Sequence, residues 1–225
     1  MSKTDTEKHK SRPLRWFWTF FVVVILLISA GVFLCRYTPT AYDPQPAANP
    51  EQVSPYLTHT LGPDFINQVQ LDKPFELLVE QDGLNDIIRS QSWIEDFGSF
   101  KYTNPVVLFD QDTIYLMGTL DYKGVSSVLT IIASPQMDPD GKVFLNIGSI
   151  RMGVLPVTKL VSFLSKKAFQ EACPCFEDDP QLEEIIRAII YSEPFDPVFK
   201  ISDHPVRITQ ITIEPKRLTL KFEPQ

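Results

Sequence analysis

Hydrophobic and polar positions change their period several times along this chain. The first pattern is an unbroken apolar run from Trp16 to Cys35 (WFWTFFVVVILLISAGVFLC), which carries no charge. As a helix it spans about 30 Å, the thickness of a hydrocarbon core. Trp16 and Trp18 mark one end and Tyr37 the other, where aromatic rings favour the membrane interface. Periodicity then vanishes. From Thr38 to Pro55 the chain is polar and holds Pro39, Pro44, Pro46, Pro50 and Pro55, which reads as a semi-stiff extended spacer.

Regular patterns return at Pro74. Residues 74–80 (PFELLVE) read as a strand, and 81–92 as a short helix with Asp82 at its start and Leu84, Ile87 and Ile88 at helical spacing. Strands follow over 99–109, 112–122, 125–134 and 142–152. The second of these has period two, with Ile114, Leu116, Gly118, Leu120 and Tyr122 against Thr113, Tyr115, Met117, Thr119 and Asp121. Residues 125–134 (VSSVLTIIAS) are β-branched and nearly apolar on both faces. Val157 to Glu171 switches to helical period, with Val157, Leu160, Val161, Leu164 and Ala168 on one stripe and Phe163 and Phe169 broadening it. A second helix covers 181–191, and strands return over 197–202, 206–214 and 217–222.

The order is therefore β-α-β-β-β-β-α-α-β-β-β. Strands come in runs, which predicts an α+β fold: a mainly antiparallel, curved sheet packed on the long 157–171 helix, preceded by one transmembrane helix. The expected organisation is a tail (1–15), the membrane helix (16–35), a proline-rich linker (36–56) and one folded domain (57–225).

Charge adds a direction. Residues 1–15 hold Lys3, Lys8, Lys10, Arg12 and Arg15 against Asp5 and Glu7. The positive-inside rule places this tail in the cytoplasm and the domain outside, in a cell (inner, cytoplasmic) membrane. A cleaved signal peptide would have a shorter apolar run followed by small residues, and neither is present. Beyond residue 35 there are 16 basic and 26 acidic residues. Such an acidic domain argues against nucleic acid as a partner and against a broad electrostatic grip on anionic lipid.

Candidate chemistry is sparse. His9, His59 and His204 have no cysteine or carboxylate at ligand spacing, so no metal or cofactor is expected. Asp138-Pro-Asp140-Gly141 suits a hairpin turn better than a calcium loop, because the further oxygen ligands are missing. Glu177-Asp178-Asp179 reads as a solvated capping loop. Cys173 and Cys175 stand as a strained local disulfide or as two free thiols, with a redox or metal site as the sharper alternative that no nearby histidine supports. No nucleophile, phosphate-loop or zinc signature occurs, so an enzyme is not expected.

Several segments together resemble the YpmS-like family, small bacterial proteins with an N-terminal anchor and an extracytoplasmic domain. Phe75 to Ile88 (FELLVEQDGLNDII) is similar to that family's opening strand and "LN" helix. The likeness continues through Asp112 to Leu120 (DTIYLMGTL), the strand from Val125 and the hairpin at Asp140-Gly141. Ile147 to Pro156 (IGSIRMGVLP) resembles its "G-x-L-x-L-P" entry into a long helix. The acidic segment with Cys173 and Cys175 departs from it. The resemblance implies an envelope location and no functional residue.

Two functions are expected. One is a non-catalytic envelope protein that binds a lipid or other apolar ligand between sheet and helix, with Leu160, Phe163 and Leu164 as wall residues. The other is an envelope scaffold or protein-interaction module with a closed core and an acidic surface facing a protein partner.

Overall fold

The structure, a computed structural model, describes residues 12–45, 53–90, 95–97, 100–162, 180–201 and 204–225. It opens with α1 (Arg12–Cys35), a helix of 24 residues. Its 20-residue apolar window is not buried against the rest of the chain. Length and composition allow it to cross a membrane, as an anchor or as a signal sequence.

The chain re-enters helix at a π-helical turn (Leu57–Leu61) that runs into α2 (Gly62–Gln70). Next come β1 (Phe75–Glu80) and α3 (Gln81–Ser90). Then follow β2 (Glu95–Phe97), β3 (Phe100–Asp110), β4 (Thr113–Tyr122), β5 (Val125–Met137), β6 (Val143–Met152) and β7 (Leu155–Pro156). After α4 (Pro180–Tyr191) the chain ends in β8 (Val198–Ile201), β9 (His204–Glu214) and β10 (Arg217–Pro224).

The α+β class and the antiparallel pairing hold, but the strands form two sheets where one curved sheet is expected. One has the order β1-β10-β9-β8 and the other β2-β3-β4-β5-β6-β7. The cause lies in α3. Asn85 Nδ2 donates to the Val107 carbonyl (2.7 Å), and Asn85 Oδ1 accepts from the Val107 amide (2.8 Å). Gln81, one turn earlier, accepts from the Phe109 amide through Oε1 (2.8 Å). Two side-chain amides at i and i+4 thus satisfy backbone groups of β3 that a neighbouring strand would otherwise take. β1 is left to pair with β10, from Phe75 opposite Phe222 to Glu80 opposite Arg217.

The alternation in β1 is read directly into burial, with Phe75, Leu77 and Val79 inside and the glutamates Glu76 and Glu80 outside. These side chains join Val69 of α2, Val206 and Phe222 in one core cluster. Phe65, Phe75 and Phe222 form its aromatic centre, with ring centroids 5.0–6.0 Å apart. A second cluster, Val107, Phe109 and Ile213, packs with Leu84 and Ile88 of α3 and ties the two sheets together.

The helix expected over 157–171 begins at residues 158–162, and its remainder lies outside the described residues. Among the described residues, α2 and α3 pack on the four-stranded sheet.

The proline-rich segment is not a free spacer where it is described. Tyr42 is buried on the six-stranded sheet with Met117 and Val128. At the other end Ser54 is buried and donates to Asp86 of α3, while the Tyr56 hydroxyl accepts from the Glu80 amide (3.0 Å).

Candidate functional site: the junction between helix α1 and the sheet

Helical hydrogen bonding in α1 runs to its last residues and slightly beyond. The Arg36 amide donates to the Val32 carbonyl (3.1 Å) and the Tyr37 amide to that of Leu34 (3.4 Å). A helix leaves its final carbonyls without helical partners. Here the domain engages two of them. The Val154 amide donates to the Leu34 carbonyl (3.2 Å), and the Ser127 hydroxyl donates to that of Cys35.

The position of these donors follows from the ladder. β6 stops with Met152 opposite Leu129, so among the described residues the edge of β5 before Leu129 has no strand neighbour on that side. The chain turns at Gly153, whose amide donates to the Val128 carbonyl (2.8 Å). Gly153 has φ +59°, and a Cβ there would collide with the carbonyls of Leu34 and Cys35. Glycine serves two needs at once: a left-handed turn and close approach of the α1 end.

Ser127 and Leu120 share one face of the sheet, and Val128 and Thr119 share the other. Cys35 is met by the first face, and Tyr42 lies on the second. Residues 36–41 therefore carry the chain from one face to the other. Tyr42 then locks it down. Its hydroxyl donates to the Asn104 carbonyl (2.9 Å) and shares a hydrogen bond with the Thr119 hydroxyl (2.9 Å). The β3–β4 register shifts between Thr103 and Val106, so Asn104 falls outside the ladder. Tyr42 thus supplies a partner that the bulge removes. Burial pushes the Tyr42 phenol up from its ordinary value of 10.0, and Tyr102 likewise. This docking explains why β5 is apolar on both faces: one faces the core, and Val128 on the other lies beneath Tyr42.

The residues singled out from sequence are only partly among the described ones. Leu160 sits in the helical turn 158–162 with 59% of its surface exposed. Phe163, Leu164, Cys173, Cys175 and the acidic run 177–179 lie outside the described residues. His59 Nδ1 is within 2.9 Å of the Thr58 hydroxyl and 3.2 Å of the Pro55 carbonyl, in its own helical turn. His204 is exposed at the start of β9. Asp138 Oδ1 accepts from the amides of Asp140 (2.9 Å) and Lys142 (2.8 Å), the geometry of a turn. Among the described residues, no three or more His, Cys, Asp or Glu side chains converge as a metal site would require.

A shallow depression of about 170 Å³ lies on the four-stranded sheet, lined by Phe75, Glu76, Thr209, Lys221 and Phe222. Ligand pockets generally begin at about 300 Å³.

Sequence reasoning missed the junction. Its signals were present: a single tyrosine in a polar proline-rich stretch, and a glycine directly before Val154. No protein-family model matches the chain, and comparisons with curated proteins and with solved structures find no match.

Proposed function

We propose that this chain is a single-pass protein of the cell membrane, with residues 1–15 cytoplasmic and the α+β domain outside. In this reading the domain acts by contact, as an interaction module at the envelope, and not by catalysis. The observation that carries the proposal is the junction. The last carbonyls of α1 accept hydrogen bonds from Val154 and Ser127, so α1 is continuous with the fold. Removal at its end would strip the domain of both acceptors. An exposed apolar helix of this length also has a large free-energy cost in water and none in lipid.

Packed side chains among the described residues support contact as the mode of action, while the expected ligand wall at Phe163 and Leu164 lies outside them. The spaces behind both sheets hold clustered side chains, Phe75, Val79, Val206 and Phe222 in one and Val107, Phe109 and Ile213 in the other. The depression of about 170 Å³ is small for a lipid. The positive-inside balance of residues 1–15 supports the orientation.

The test uses the full chain expressed in a bacterial membrane. Intact mass of the carbonate-resistant fraction should include residues 1–35, and externally added protease should reach the domain. A mature chain lacking those residues would overturn the anchor. Native mass spectrometry from mild detergent should show no retained lipid beyond the anchor's annulus. One tightly held lipid per chain would favour the carrier reading instead.

A further inference from the structure

The same junction fixes where the domain sits, and this inference rests on the anchor reading above. The hydrocarbon-spanning window of α1 ends at Cys35. Everything bonded to that end must lie at the level of the lipid headgroups. The headgroup layer is about 5–8 Å deep on each side of the bilayer. Val154 is hydrogen bonded to Leu34 itself. Val125 lies two residues from Ser127 on the same face of β5, about 7 Å along the strand. Tyr122 is directly opposite Val125 in the β4–β5 ladder. Tyr37 is two residues past the helix end.

All four are large side chains left open to solvent by the fold: Tyr37 (47% exposed), Tyr122 (43%), Val125 (49%) and Val154 (42%). Tyrosine at this depth matches the known preference of amphipathic rings for the interface. Two cations flank them. Arg36 is exposed next to Tyr37, and Lys123 places its ammonium 5.3 Å from the centre of the Tyr122 ring. The nearby Asp121 carboxylate is held by the Ser126 hydroxyl (2.7 Å) and the Gly124 amide (2.9 Å). The local composition is thus apolar, aromatic and basic in a domain that is acidic as a whole.

We infer that the β4–β5 turn and the β6–β7 turn form a lipid-docking rim, seated in the headgroups of the membrane that holds α1. Length of chain enforces this occupant. Between Cys35 and the buried Tyr42 there are only six residues, and the domain already bonds to both ends. The rim has no room to stand clear of the bilayer.

The experiment labels the full chain at one engineered cysteine, with Cys35, Cys173 and Cys175 replaced by serine, in phosphatidylcholine–phosphatidylglycerol vesicles. A bimane probe is placed in turn by Val125→Cys, Val154→Cys, Asp140→Cys and Ser29→Cys. Asp140 lies past the far end of β5, about 40 Å from Val125 over its 13 residues. Quenching uses lipids that carry a nitroxide at the headgroup or deep in the acyl chain. The expected result is headgroup quenching at Val125 and Val154, none at Asp140, and deep quenching at Ser29. Quenched Ser29 with unquenched Val125 and Val154 would overturn the rim and leave the anchor standing. Unquenched Ser29 would overturn both. Equal quenching at Asp140 would also overturn the rim, since contact would then not be confined to the two turns. Thermal unfolding of each unlabelled variant confirms that the fold is kept.

Discussion

Asn85 offers the sharpest test of how this fold divides into two sheets. Its side-chain amide makes both of the bonds that a neighbouring strand would make to Val107, at 2.7 and 2.8 Å. Val107 is buried, so water cannot easily replace that partner. Asn85→Leu keeps the volume and removes both bonds. Each orphaned backbone group costs about 1–3 kcal/mol, and the added apolar contact returns part of this. The expected loss is about 2–4 kcal/mol. Gln81→Leu removes the single bond to Phe109 and should cost about 1–2 kcal/mol. The assay is urea unfolding of the full chain in mild detergent, followed by far-ultraviolet circular dichroism. Asn85→Asp sharpens the reasoning further. Its carboxylate can still accept from the Val107 amide but faces the Val107 carbonyl with like partial charge. Protonation restores a donor, so this variant should regain stability relative to wild type as pH is lowered towards 4. An Asn85→Leu protein within about 0.5 kcal/mol of wild type, the range of an ordinary surface change, would refute the strand-substitute role.

Other expectations follow from the junction and its surroundings. Gly153→Ala should lower the melting temperature and expose residues 36–42 to limited proteolysis, since both its φ of +59° and the carbonyls of Leu34 and Cys35 oppose a Cβ. Tyr42→Phe should cost about 1 kcal/mol in urea unfolding, because the Asn104 carbonyl and Thr119 hydroxyl lose their partner. The carboxyl of Asp86 is held below its ordinary value of 3.8 by the Ser54 hydroxyl first and by Arg89 second. Its contribution is present above that value and is lost as pH falls through the lower folded one. Asp86→Asn should therefore lose less thermal stability than wild type between pH 5 and pH 3. Thr130→Val should be neutral or stabilising by about 1 kcal/mol in the same unfolding assay, since the buried Thr130 hydroxyl has no hydrogen-bond partner among the described residues.

Much of the secondary structure was legible because the periods were clean. β1 was legible as a strand, and its inward set of Phe75, Leu77 and Val79 alternates with Glu76, Glu80 and the exposed Leu78. The helix at 81–92 and the strands from 99 to 152 fall within a few residues of α3 and β3–β6. β2 and β7 were too short for any period to show. The split into two sheets was hidden for a different reason. Pairing is a long-range choice, and here it turned on the polar face of a helix, where Gln81 and Asn85 look like ordinary surface residues. The proline-rich stretch misled in the opposite direction. Its composition reports local stiffness accurately, yet it carries no record of what lies beneath Tyr42. Val128 did carry such a record, as an apolar residue on the wrong face of its strand.

Because helical hydrogen bonding continues through Arg36 and the sheet grips Leu34 and Cys35, there is no joint between α1 and β5. The two behave as a bent lever with its fulcrum at Gly153. Membrane helices adjust to bilayer thickness chiefly by tilting, by about 20° on average. From Val128, bonded to Gly153, β5 runs on to Met137, an arm of about 30 Å that converts a 10° change of tilt into a displacement of about 5 Å at its tip. The hairpin at Asp138–Gly141 is that tip, so with α1 anchored as proposed its position relative to neighbours in the same membrane would report how thick the surrounding lipid is.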